Sequence, residues 1–114
     1  MRRERLYLGD ILAGADAIAG FIQGQDLERF RANLQLRSAV VHQLMIIGEA
    51  AARLSPELRQ CHPEIPWLDI RGFRNIIVHN YFGIDWEEVW RSATEDAPLL
   101  RSQIAGILRD EFAE

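Results

Sequence analysis

Cysteine occurs once in the 114-residue chain, as Cys61, and lysine does not occur at all. A lone cysteine excludes an intrachain disulfide and a cysteine-built zinc site, so neither a stapled secreted fold nor thiol redox chemistry is expected. No apolar run approaches the roughly 18 residues that a membrane span needs. Met1-Arg2-Arg3-Glu4-Arg5 leads into mixed sequence without a secretory h-region, and the expected location is cytoplasmic. Four prolines and eight glycines are too few for a collagenous or low-complexity chain. With 48% apolar and 26% charged residues the composition is that of a globular chain, read as a single domain over 1–114. All thirteen basic residues are arginines, and seventeen carboxylates leave a formal charge of −4. Attraction to nucleic acid over the whole surface is therefore excluded, and any such role needs a local cluster.

No segment alternates with period two long enough to require a strand. Leu8, Ile11, Leu12, Ala15, Ile18, Ala19 and Ile22 instead recur at three- and four-residue steps, which predicts a first helix ending near Gly24. Asp26 is placed to cap a second, long helix to about Leu54, with Leu27, Phe30, Leu34, Val41, Leu44, Met45, Gly48 and Ala52 on one face. Ser55-Pro56 opens a short helical connector that His62-Pro63 and Ile65-Pro66 close. A further helix is expected from Asp69 towards Asn80. Asp85-Trp86-Glu87-Glu88 then starts the last one, whose stripe is Val89, Trp90, Ala93, Ala97, Leu100, Ile104, Ile107 and Leu108, with a kink at Pro98. The expected fold is all-α, an antiparallel bundle of four main helices plus a short connector helix.

The chemistry is concentrated in Ile70-Arg71-Gly72-Phe73-Arg74-Asn75-Ile76-Ile77-Val78-His79-Asn80-Tyr81-Phe82-Gly83. On a helical wheel Ile70, Phe73, Ile76, Ile77 and Tyr81 share an apolar arc, while Arg71, Arg74, Asn75 and His79 lean the other way. Asn75 and His79 are one turn apart. Arg74 lies about 140° from His79 at 100° per residue, so it converges on the same atom only through its length or a bent helix end.

These residue types suit metal-free cleavage of an RNA phosphodiester. That reaction needs a base for the 2′-hydroxyl proton, an acid for the leaving 5′-oxygen and a cation for the charge on phosphorus. His79 is apt as acid or base, Arg74 as the cation, and Asn75 as an orienting group. The bland alternative is a histidine favouring a helix C-terminus beside solvated arginines. Arg71 either extends a phosphate-binding surface or pairs with Glu49 or Asp69. His42, inside a long helix, reads as a packing residue, and His62 sits in the connector beside Cys61; neither has a metal-ligand spacing. Trp67, Trp86 and Trp90 read as core rather than base-stacking platforms. One motif histidine per chain, set against a reaction needing both acid and base, predicts a homodimer.

Arg74 to Tyr81 resembles the R-x-x-x-x-H-x-Y signature of the HepT-like toxins of the HEPN superfamily, with the polar residue after the arginine present as Asn75. Ile46-Ile47-Gly48-Glu49-Ala50, Phe82-Gly83-Ile84-Asp85 and Asp96-Ala97-Pro98-Leu99 are similar to the same family in the same order, so the resemblance covers nearly the whole chain. It implies a helical bundle that dimerises with two motifs facing each other across a cleft. It further implies a metal-independent endoribonuclease without a cofactor, with Arg74 and His79 as the catalytic pair and Asn75 as the polar accessory. The family resemblance also implies the toxin of a type VII-like toxin–antitoxin pair. Its partner would be an MntA-type nucleotidyltransferase that silences the toxin by transferring AMP from ATP to the motif tyrosine, here Tyr81. Tyr81 falls on the apolar arc, whereas such modification requires an exposed hydroxyl, as a helix ending before Tyr81 would give. Two alternatives stand beside this reading. One is a non-catalytic helical module that binds and positions substrate for the nucleotidyltransferase, and the other is a dimeric scaffold carrying a relic motif.

Overall fold

In a computed structural model of the chain, residues 2–75 and 83–112 are described. Helix α1 (Arg2–Ile22) buries Leu8, Ile11, Ala15 and Ile18 along one stripe. It begins well ahead of that stripe, because arginine and glutamate propagate a helix without needing a buried partner. Its first turn is also fastened: the buried Glu4 carboxylate accepts the Ser55 backbone N–H at 2.9 Å and the Ser55 hydroxyl at 2.7 Å. The chain leaves α1 through Gly24, whose φ of +74° is a left-handed conformation that only glycine adopts without strain.

The long helix expected to run from Leu27 to Leu54 is divided. Helix α2 (Leu27–Ala32) starts at Asp26, whose side chain accepts from the Arg29 N–H at 2.8 Å, and stops at Asn33. Asn33 takes an extended backbone, and its side chain accepts the Leu36 N–H at 3.0 Å, capping α3 (Leu34–Arg53). A short amide that hydrogen-bonds the backbone locally competes with helix continuation, which is the physical reason for the break. The break seats Phe30 in the core, its ring centroid 5.1 Å from Trp90 and 6.1 Å from Trp86, and leaves Leu34 exposed. His42 also departs from expectation. Val40, Val41 and Leu44 occupy the buried stripe, and His42 faces solvent.

Ser55 opens α4 (Pro56–Cys61) with its hydroxyl accepting the Leu58 N–H at 3.1 Å. After the connector, α5 (Trp67–Gly72) begins with buried Trp67, whose indole N–H donates to the His62 carbonyl at 3.0 Å. The tryptophans are packing residues, as expected. Helix α6 (Trp86–Arg91) is capped by Asp85, which accepts from the Glu88 N–H at 3.2 Å. A π-helical stretch (Ser92–Asp96) joins it to α7 (Ala97–Glu111).

That wide turn replaces the simple kink expected at Pro98. The Ala97 N–H reaches back to the Ser92 carbonyl, five residues earlier, and the Thr94 hydroxyl donates to the Trp90 carbonyl at 2.9 Å. Proline at 98 donates nothing to Thr94 and crowds its carbonyl, and widening the preceding turn relieves both defects. Helices α1, α3 and α7 enclose the core of Leu8, Ile11, Ile18, Leu44, Ile47 and Ile104. Among the described residues the fold is all-α, with no strand.

Candidate active site

The motif segment is laid on α3 at a single glycine. A Cβ on Gly48 would stand 2.8 Å from the Arg74 backbone nitrogen, 3.0 Å from the Ile70 carbonyl oxygen and 3.3 Å from that of Arg71. Contacts that short leave no room for any side chain, so the backbone of α5 rests directly on α3. A glycine inside a helix costs about 1 kcal/mol relative to alanine, a cost explained here by close approach.

The segment does not stay α-helical. It passes at Gly72 into a 3₁₀ turn (Phe73–Asn75), with the Phe73 N–H reaching the Ile70 carbonyl. Three residues per turn replace 3.6 at Phe73–Asn75, and the rest of the helix expected to reach Asn80 lies outside the described residues. Ile70 is buried and Phe73 packs against the core, as the apolar arc required.

Arg74 leaves this turn with its side chain 42% exposed and its Nη1 3.5 Å from Oε1 of Glu49, the residue after Gly48. The other Glu49 oxygen, Oε2, accepts from Nε of Arg53 at 3.1 Å, one turn further along α3. The Tyr7 side chain of α1, and after it Glu49, raise Arg53 above the usual arginine range. Arg53 therefore stays cationic at every working pH. Asn75 is exposed next to Arg74. Arg71, half-buried, has no ion-pair partner among the described residues; the carboxylate of Glu49 is taken by Arg53 and Arg74. His79 and Tyr81 lie outside the described residues; of the expected set the described residues hold Arg71 in the last turn of α5 and Arg74 and Asn75 in the 3₁₀ turn that follows. Glu49 and Arg53 were missed as parts of the site. The available signal was a glycine in mid-helix, followed by a charged residue with an arginine four positions on.

On its other side the same segment lines a cavity of about 720 Å³. Ile70, Phe73, Ile84 and Val89 supply its apolar wall, Leu68 and Leu99 stand at it 79% and 60% exposed, and Asp69, Asp85, Glu88 and Asp96 make it acidic. Its one arginine, Arg91, is held by Glu88 and Asp96, chiefly Glu88, which raises its pKa. A phosphate placed there would meet carboxylates. Among the described residues no group of three or more His, Cys, Asp or Glu side chains is arranged to hold a metal ion, and no helix is long and apolar enough to cross a membrane.

Comparison with known proteins bears on this geometry. Residues 11–107 match the family model described as "Ribonuclease HepT-like". A Methanocaldococcus jannaschii protein that bears an RNase name is 36% identical over 103 residues, covering 90% of this chain and 94% of its own. A Caldanaerobacter subterraneus protein, also bearing an RNase name, is 34% identical over 111 residues, covering 97% and 99%. A Thermococcus cleftensis protein named as a ribonuclease HepT is 33% identical over 102 residues, covering 90% and 93%. No solved structure matches the chain significantly. The match spans α1 to α7 and includes the Gly48-Glu49 pair with the arginine it holds, and the chain belongs to the HepT-like ribonuclease family.

Proposed function

We propose that the chain is a metal-independent endoribonuclease acting as the toxin of a type VII-like toxin–antitoxin pair. Arg74 stabilises the charge that develops on phosphorus, His79 moves the proton, and Asn75 orients the ribose or the phosphate. Two protomers face their motifs across a cleft, so that one histidine serves each side of the scissile bond. An MntA-type nucleotidyltransferase silences the enzyme by transferring AMP from ATP to the Tyr81 hydroxyl, releasing pyrophosphate. The added bulk and negative charge beside the cleft then exclude RNA.

The observation that carries this reading is the half-exposed Arg74 guanidinium, paired at one edge with Glu49 and with no second carboxylate partner among the described residues. Guanidinium matches phosphate geometry, and a fixed one stabilises transition-state charge better than a mobile one. The test is cleavage of total RNA in EDTA by purified wild type, His79→Ala and Arg74→Ala, with intact mass reporting adenylylation. Unmodified wild type is expected to cut and both variants to be inactive. A His79→Ala protein cutting at the wild-type rate removes His79 from the mechanism.

The exposed Leu68 and Leu99 beside the acidic cavity favour a second reading, the helical module that binds a nucleotidyltransferase and positions its substrate. It predicts a tight complex and no cleavage by folded, unmodified protein.

A further inference from the structure

We propose that Glu49 is the positioning residue for Arg74, dividing its carboxylate so that Arg53 fixes one oxygen and the other fixes the motif guanidinium; this rests on the ribonuclease reading above. The distances are 3.1 Å to Arg53 Nε and 3.5 Å to Arg74 Nη1. Glu49 and Arg53 are one turn apart on α3 in the favourable order, acid before base along the helix. The linkage therefore runs from Arg53 through Glu49 to Arg74, and its fixed end is on α3.

Gly48 and Glu49 act together. Gly48 receives the backbone of residues 70–74, which sets where Arg74 starts, and Glu49 sets where its side chain ends. A free arginine loses much rotamer freedom when it grips a phosphate. One already held at one edge loses less, and the gain goes to the reacting geometry rather than to the stability of the fold. Each of these side chains is about half exposed, and exposed ion pairs add little to stability. Activity and melting temperature should therefore part company.

The experiment is single-turnover cleavage of total RNA in EDTA over a range of enzyme concentrations, giving a maximal rate and a half-saturating concentration. Each variant is also followed by thermal melting. Glu49→Ala is expected to lower the maximal rate by roughly 10- to 100-fold. Its half-saturation should not rise, because a negative charge near the RNA has been removed. Melting should stay at the wild-type temperature. Glu49→Gln, which keeps one acceptor oxygen, is expected to fall between, and Arg53→Gln, which does not touch Arg74, to slow cleavage less than Glu49→Ala.

Cleavage by Glu49→Ala at the wild-type maximal rate, while wild type cuts, overturns the role and leaves the nuclease reading intact. So does a rise in half-saturation at unchanged maximal rate, or a slowing that tracks a loss of melting temperature. Failure of folded, unmodified wild type to cut overturns the nuclease reading itself and the role of Glu49 with it.

Discussion

The two sides of the Trp67–Asn75 segment are built from opposite charges. Towards α3 it meets Gly48 and Glu49 and brings Arg74 beside Arg53. Towards α6 and α7 it lines a cavity with four carboxylates and two leucines open to solvent. A chain of net charge −4 repels RNA over most of its surface, so the placement of a few arginines decides where a phosphate approaches. The segment is thus a divider, with an edge suited to a polyanion on one side and a surface suited to an apolar, basic partner on the other.

Three changes break or sharpen that contrast, in decreasing order of effect. Gly48→Ala strikes the α3 side directly. Its methyl group collides with the Arg74 backbone, and the expected results are a destabilisation of about 1–3 kcal/mol and a loss of RNA cleavage of at least about 100-fold, checked by urea unfolding and a cleavage assay. Alanine in an ordinary helix position stabilises, so a higher unfolding midpoint with full cleavage would show that α3 does not bear on the segment.

Charging the other side, with Leu68→Asp and Leu99→Asp together, is expected to change unfolding free energy by no more than about 0.5 kcal/mol per site, since both are exposed. Cleavage should persist while co-purification with the proposed nucleotidyltransferase partner is lost. Loss of cleavage with the partner still bound would reverse the assignment of the two sides. Arg71→Gln is the mildest. If Arg71 meets a phosphate, the slope of log affinity against log salt falls in magnitude by about 1; an unchanged slope assigns the residue to packing.

Much of the fold was legible because caps and stripes are local. Asp26, Ser55 and Asp85 each accept the backbone N–H three residues on, as their positions before apolar periodicity predicted. The break at Asn33 was not legible, because periodicity alone carries across a single asparagine whose side chain bonds the next turn instead of solvent. His42 was legible as solvent-facing, since it lies about 100° from Val41 and off the face that Val41 and Leu44 already marked. In the site, the Arg74–Asn75 adjacency was read from the motif, whereas its attachment to Glu49 joins α3 to a segment 25 positions further on, and spacing along one helix does not report that. Gly48 was assigned to an apolar stripe, and only the fold distinguishes a glycine that packs from one that makes way.

The wide turn at Ser92–Asp96 has a consequence for alignment of the buried row itself. Val89, Ala93 and Ala97 are all buried and follow one another at intervals of four. In a regular α-helix two such intervals overshoot two full turns by about 80°, enough to carry Ala97 off the line set by Val89. An i→i−5 bond takes in one more residue per turn and removes that drift, so the row continues straight into Leu100 and Ile104. The four-four spacing is therefore a phase correction written into the sequence: a one-residue deletion between Ser92 and Asp96 would leave an ordinary α-turn, with seven residue steps from Val89 to Ala97 covering about 700°, and the row would stay within about 20° of alignment.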